Sequence, residues 1–90
     1  MTLPAFEKAP GELLDYMVDW TVWLGSDTIL TSTWVLPAPL VTGNASNTTL
    51  TATQFIGGGQ VGTDYIVLNI IVTAGGRTAA RAFTIQVRQR

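Results

Sequence analysis

Asp15 and Asp19 are the two carboxylates of this chain whose spacing invites a chemical reading. Paired carboxylates can share acid–base work or hold a calcium ion. Both sit in the segment Leu13 to Trp20, where Leu14, Tyr16, Val18 and Trp20 recur at every second position. That is the period of a half-buried strand, with the aspartates on the other side. Four residues along a strand span about 13 Å, too far to act on one bond or to bind one ion directly. The pair therefore reads as solvent-facing charge.

The remaining inventory offers little more. Cysteine and histidine are both absent, which excludes disulfides and thiolate or imidazole metal sites. One lysine and scattered carboxylates remain, and a serine nucleophile would have no obvious base. Gly57-Gly58-Gly59 is followed neither by a helix nor by a Lys-Ser/Thr pair, so it is no phosphate cradle and reads as a flexible connection. Asn44-Ala45-Ser46 and Asn47-Thr48-Thr49 fit the glycosylation pattern, but without a secretory signal they mark only a polar surface loop. The expectation is a protein that is no enzyme and takes no cofactor and no metal.

Composition turns attention to partners. Ninety residues make one domain, 1–90, with a modest core and no room for a second. Only 12% of residues are charged, about half the usual quarter, while 47% are hydrophobic. Such a surface either relies on Thr, Asn, Gln and Ser for solvation or is covered by assembly. A formal net charge of -1 gives no electrostatic reason to expect nucleic acid. The longest apolar segment, around Tyr65 to Val72, is strand-sized and too short to cross a membrane as a helix. The start MTLPAFEKAPGELL shows no signal peptide, so a non-secreted product is expected. Acidic residues cluster in the first third and arginines near the C-terminus. Either the first and last strands lie side by side and pair these charges, or one copy meets the next.

The elements that must carry these residues are short. Ala5 to Lys8 reads as a first strand closed by Pro10-Gly11, and Leu13 to Trp20 as the second. Val22-Trp23-Leu24 runs into a turn at Gly25-Ser26-Asp27, with room for one helical turn before it. Thr28 to Leu36 is β-branched and aromatic, and Pro37-Ala38-Pro39 stops it. Thr42 to Asn47 reads as a polar loop and Thr48 to Phe55 as a strand. Tyr65 to Thr73 and Thr78 to Arg88 form a hairpin about Ala74-Gly75-Gly76, with Phe83, Ile85 and Val87 on one face. Six to seven short strands with regular turn signals predict an all-β, antiparallel sandwich.

Gly62-Thr63-Asp64-Tyr65 resembles the tyrosine corner of immunoglobulin-like sandwiches, where a buried Tyr hydroxyl ties down a loop. With Tyr65 inward, Val67, Asn69 and Ile71 follow it, and Ile66, Leu68, Ile70 and Val72 form an outer aliphatic row suited to a neighbouring subunit. With the parity reversed the row enters the core and Asn69 stays outside. Both remain open from the sequence. Trp20 and Trp34 lie on strands and read as core. Trp23, near a turn, is either a partner contact of the hot-spot kind or a lid over the sandwich end.

The run Leu14-Asp15-Tyr16-Met17-Val18-Asp19-Trp20-Thr21-Val22-Trp23-Leu24 continues into Asp27-Thr28-Ile29 and Ser32-Thr33-Trp34. Later come a glycine-rich stretch ending at Gly62, then Tyr65, Gly75-Gly76-Arg77 and the closing strand Phe83 to Arg88. This layout resembles the small fibre–tail adaptor proteins of tailed bacteriophages over nearly the whole chain. The resemblance implies an immunoglobulin-like fold, a place in the virion after synthesis in the host cytoplasm, and tail and fibre proteins as partners. It brings no catalytic residues with it. Copies are expected to form a ring or another symmetric assembly around the tail. Met1 to Pro10 and Arg88 to Arg90 are expected to extend as arms that order on contact. A capsid decoration or head–tail neck protein is the alternative within virions. A carbohydrate- or receptor-binding module, built on Trp23 and the Asn44 to Asn47 loop, is the alternative outside them.

Overall fold

A computed structural model describes residues 4–89 of the chain. Its elements in chain order are β1 (Ala5–Lys8), β2 (Leu14–Asp19), α1 (Thr21–Leu24), β3 (Ile29–Val35), β4 (Leu40–Asn47), β5 (Thr51–Gly58), β6 (Asp64–Thr73) and β7 (Thr78–Val87). A four-stranded sheet, β1-β7-β6-β3, packs against a three-stranded sheet, β2-β5-β4. Strands two, four and five in one sheet and three, six and seven in the other make the immunoglobulin arrangement. The fold is an all-β sandwich of seven strands.

One strand departs from the expected antiparallel order. β1 pairs in parallel with β7, from Ala5 opposite Thr84 to Lys8 opposite Val87. Ala9 to Gly11 then carry the chain across to the other sheet, so β1 cannot form a hairpin with β2. Glu12 secures this crossing: its Oε1 accepts the Ala9 N–H at 2.8 Å. Lys8 is fully buried and donates from Nζ to the carbonyls of Ala9 at 2.6 Å and Gly58 at 2.7 Å. Burial pulls its pKa below the ordinary lysine value, with Glu12 opposing. The arm expected over Met1 to Pro10 is therefore, at Ala5 to Lys8, an edge strand of the larger sheet. Met1 to Leu3 and Arg90 lie outside the described residues.

The core forms where the alternating faces of the two sheets meet. Tyr16 and Val18 of β2 and Ile56 of β5 face Val67 and Ile71 of β6 and Phe83 and Ile85 of β7. Tyr16 stacks on Phe83 with ring centroids 5.6 Å apart. Trp20 is buried as expected, and Trp34 is half-buried and packs on the core from β3. α1 is a single turn at one end of the sandwich. Leu24 N–H closes it on Trp20 O at 2.9 Å.

Three segments read differently in the sequence. Thr42 to Asn47, expected as a loop, belongs to β4, which pairs antiparallel with β5 through a register shift between Thr42 and Ala45. The strand is polar because it is an exposed edge. Buried Gln54 serves the irregularity from inside, donating from Nε2 to the Gly43 and Asn44 carbonyls at 3.2 Å each. Thr48, expected to open the next strand, instead shapes the β4–β5 turn, its Oγ1 accepting Leu50 N–H at 3.1 Å and Thr51 N–H at 3.0 Å. Gly57 to Gly59 is likewise no loose connection. Gly57 and Gly58 end β5, and a Cβ on Gly59 would lie 2.7 Å from Val87 Cγ2.

Candidate functional site

The site begins with the parity of β6, and that is decided at its first turn. Gly62 adopts φ +87, a conformation glycine reaches without strain. The loop is held by Gly62 N–H on Val87 O at 2.8 Å and Val87 N–H on Thr63 O at 3.1 Å. Tyr65 then turns inward, and its Oη accepts the Gln60 N–H at 2.9 Å. Tyr65, Val67, Asn69, Ile71 and Thr73 are buried in consequence. The polar members of that set are satisfied: Trp20 Nε1 donates to Asn69 Oδ1 at 2.9 Å, Asn69 Nδ2 donates to Ser32 Oγ at 2.9 Å, and Thr73 Oγ1 accepts the Arg77 N–H at 2.9 Å. A buried amide with partners carries little penalty. The reversed parity, with the aliphatic row in the core, is ruled out.

Ile66, Leu68, Ile70 and Val72 therefore lie on the outer face of the larger sheet. Ile66 is 56% exposed, and the other three are half-buried among their neighbours. Register supplies those neighbours. Thr84, Ala82, Ala80 and Thr78 of β7 stand opposite the row on one side. Val35, Thr33 and Thr31 of β3 stand opposite Leu68, Ile70 and Val72 on the other. Small and β-branched side chains keep this surface low, and none of these outward positions carries a charge; Arg81 of β7 stands opposite the inward Asn69. Charge on this face gathers at one end, at Asp64 of β6 with its ion-pair partner Arg88 and at Glu7 of β1. Such a surface can do no bond chemistry. It can exclude water from a complementary surface, at roughly 1.5–3 kcal/mol for each large aliphatic side chain fully buried.

Sequence reasoning found the row and missed its flanks. Ala80, Ala82, Thr33 and Val35 become neighbours only through strand register. The available signal was the alternation of Thr78, Ala80, Ala82 and Thr84 with the buried Phe83 and Ile85.

Trp23 lies elsewhere, on α1 at the end of the sandwich. It is half-buried and meets Trp20 edge-on, with centroids 5.4 Å apart. The Arg77 guanidinium covers it at 4.2 Å from the ring centroid. Arg77 also donates from Nη2 to Leu24 O at 2.9 Å and pairs through Nε with Asp27 at 3.1 Å. Asp27 is the most perturbed acid here. Hydrogen bonds from Thr73, the Thr28 and Gly75 amides and Arg77 hold its pKa down to about 2. These contacts fasten the β6–β7 hairpin to the end of α1. They are structural in character.

Asp15 and Asp19 both face outward on β2. Asp19 Oδ1 accepts the Thr21 hydroxyl at 2.5 Å and the Thr21 N–H at 3.0 Å, which lowers its pKa, with Arg81 assisting. A shallow open groove of about 200 Å³ runs beside it, lined by Phe6, Met17, Val18, Arg81 and Phe83. That is smaller than the roughly 300–1,000 Å³ of ordinary ligand pockets. The broadest feature available for recognition is a sheet face.

The family model described as podophage GP4 fiber-tail adaptor protein gp77 matches residues 8–86. No curated protein matches the chain. The matched residues run from the end of β1 almost to the end of β7, and so take in both sheets, α1 and the whole outer face of β6. The chain belongs to the podophage fibre–tail adaptor family.

Proposed function

We propose that the chain joins a tail fibre to the tail of the phage particle by protein–protein contact, and that its contact surface is the outer face of the larger sheet. The observation that carries this reading is the charge-free row Ile66, Leu68, Ile70 and Val72 with its Ala and Thr flanks. Contiguous apolar surface of this kind marks interaction sites on soluble domains. The partners are virion proteins, and copies of the chain sit side by side in a closed symmetric array around the tail. No step of this role calls for catalysis. Trp23 lies outside the face and supports the sandwich end at which β3 and β7 begin.

Leu68→Glu tests the contact. Leu68 points outward, so the isolated variant is expected to keep its β-sheet circular dichroism and a cooperative melt within about 1 kcal/mol of the parent. Phage particles assembled with it are expected to lack fibres. Fully fibred particles would sink the reading, and so would collapse of the isolated domain.

A further inference from the structure

A second apolar patch lies on the opposite side of the sandwich, on the outer face of the three-stranded sheet. Leu13, Val41 and Phe55 are 54%, 56% and 36% exposed there. Two glycines bring them together. A Cβ on Gly57 would lie 3.1 Å from Leu13 Cδ1 and 3.4 Å from Val41 Cγ2. A Cβ on Gly43 would lie 3.0 Å from Phe55 Cβ and 3.5 Å from Leu13 Cδ1. Leu13 thus lies across a floor without side chains and bridges Val41 to Phe55. Asp15 is the cross-strand partner of Phe55 and stands exposed at the margin of the patch.

Charge decides what such a surface accepts. β2, β4 and β5 contain no lysine or arginine, so the only charges on their sheet are acidic. Every cation among the described residues lies on or just after a strand of the other sheet, and each is engaged within the chain. Lys8 is buried on carbonyls, Arg77 pairs with Asp27, Arg88 pairs with Asp64, and Arg81 donates to Asp19 O. Among the described residues a second copy therefore offers no unengaged cation to place against Asp15.

We infer that the Leu13, Val41 and Phe55 patch docks a different virion protein, one that lays an apolar side chain over Gly43 and Gly57 with a lysine or arginine beside Asp15. This rests on the adaptor reading, since a linker between two components needs two surfaces that do not overlap. The outer faces of a two-sheet sandwich point in opposite directions and meet that need.

Photo-crosslinking in intact phage particles tests the inference. p-Benzoylphenylalanine replaces Phe55 in one preparation of the full chain and Ile66 in another, and the captured peptides are identified by mass spectrometry. The Phe55 position is expected to capture a virion protein other than this chain, through a peptide containing Lys or Arg. The Ile66 position is expected to capture a different one. Asp15→Lys is expected to cut the Phe55 capture at least tenfold and leave the Ile66 capture unchanged. Capture of another copy at Phe55, no capture there, or indifference to Asp15→Lys overturns the inference. Capture at Ile66 alone would leave the larger-sheet reading standing, whereas capture at Phe55 alone would overturn that reading and spare this one. Silence at both positions removes both.

Discussion

Asn69 is the polar residue that β6 turns into the core, and its amide holds the two sheets to each other through Trp20. Asn69→Leu keeps a similar volume but leaves the buried Trp20 N–H without its acceptor. The expected loss is about 1–3 kcal/mol, measured by urea denaturation. Adding Trp20→Phe to that variant removes the stranded donor, so the double variant is expected to lose less than the two single losses added together. Asp27 makes a prediction in pH. Its pKa is depressed in the fold to about 2 from 3.8, so its contribution is complete above about pH 4 and is lost as pH falls through 2. Thermal melts between pH 5 and 2 should show the parent losing stability in that window. Asp27→Asn should flatten that part of the curve, and an unchanged slope would refute the assignment. The residue types of this chain led to the expectation of no catalysis. Which polar residues are inside could not be read from them, because Asn69, Gln54 and Lys8 are buried by partners far away in sequence.

At the scale of elements, β4 and β5 show where local pattern stops being informative. Thr42 to Asn47 has no apolar alternation because an edge strand need not bury either face, so its polarity reads as loop. What makes it a strand is the ladder offered by β5, and the Gln54 side chain under the irregular register. Gln54→Leu is expected to leave the Gly43 and Asn44 carbonyls without that donor and to cost about 1–3 kcal/mol, with faster hydrogen exchange confined to the β4–β5 hairpin. Uniform exchange through the whole sandwich would contradict this local role. β1 gives the converse case. Its four residues were legible as a strand, but their parallel seat on β7 depends on the crossing at Ala9 to Gly11 and on burial of Lys8. The glycine triplet looked like slack and is instead packed against Val87, since tight packing and flexibility make the same demand for a missing side chain.

For the whole molecule, the separation of charge along the chain becomes internal pairing at one point, Arg77 with Asp27, while Arg88 finds an acid outside the first third. Arg77 meets Asp27 and Arg88 meets Asp64 within one copy. Exposed pairs of this kind contribute roughly 0–1 kcal/mol and chiefly orient the hairpin and the terminal strand. With the described cations engaged, the proposed association falls to the apolar faces, one on each sheet. An adaptor placed around a tail is needed in few copies. Quantitative mass spectrometry of purified particles is therefore expected to find a small ring's worth of this chain against the major capsid protein. Copies on the scale of the capsid protein would make it a decoration protein instead.

Alternation, turn residues and composition were enough to outline an all-β sandwich of six to seven strands, the β6–β7 hairpin, and a surface short of charge. They could also isolate Ile66, Leu68, Ile70 and Val72 as one set. They could not say on which side that set lies. A period of two defines two faces of a strand and is silent about which is buried when both are largely aliphatic. That choice was made by the Tyr65 hydroxyl on the Gln60 amide and by the Trp20 indole on Asn69, the second of them 49 residues apart in sequence. The Leu13, Val41 and Phe55 patch was hidden for the same reason. Its members come from β4, β5 and the residue just before β2, which only sheet pairing makes adjacent, over glycines whose meaning is set by what lies above them.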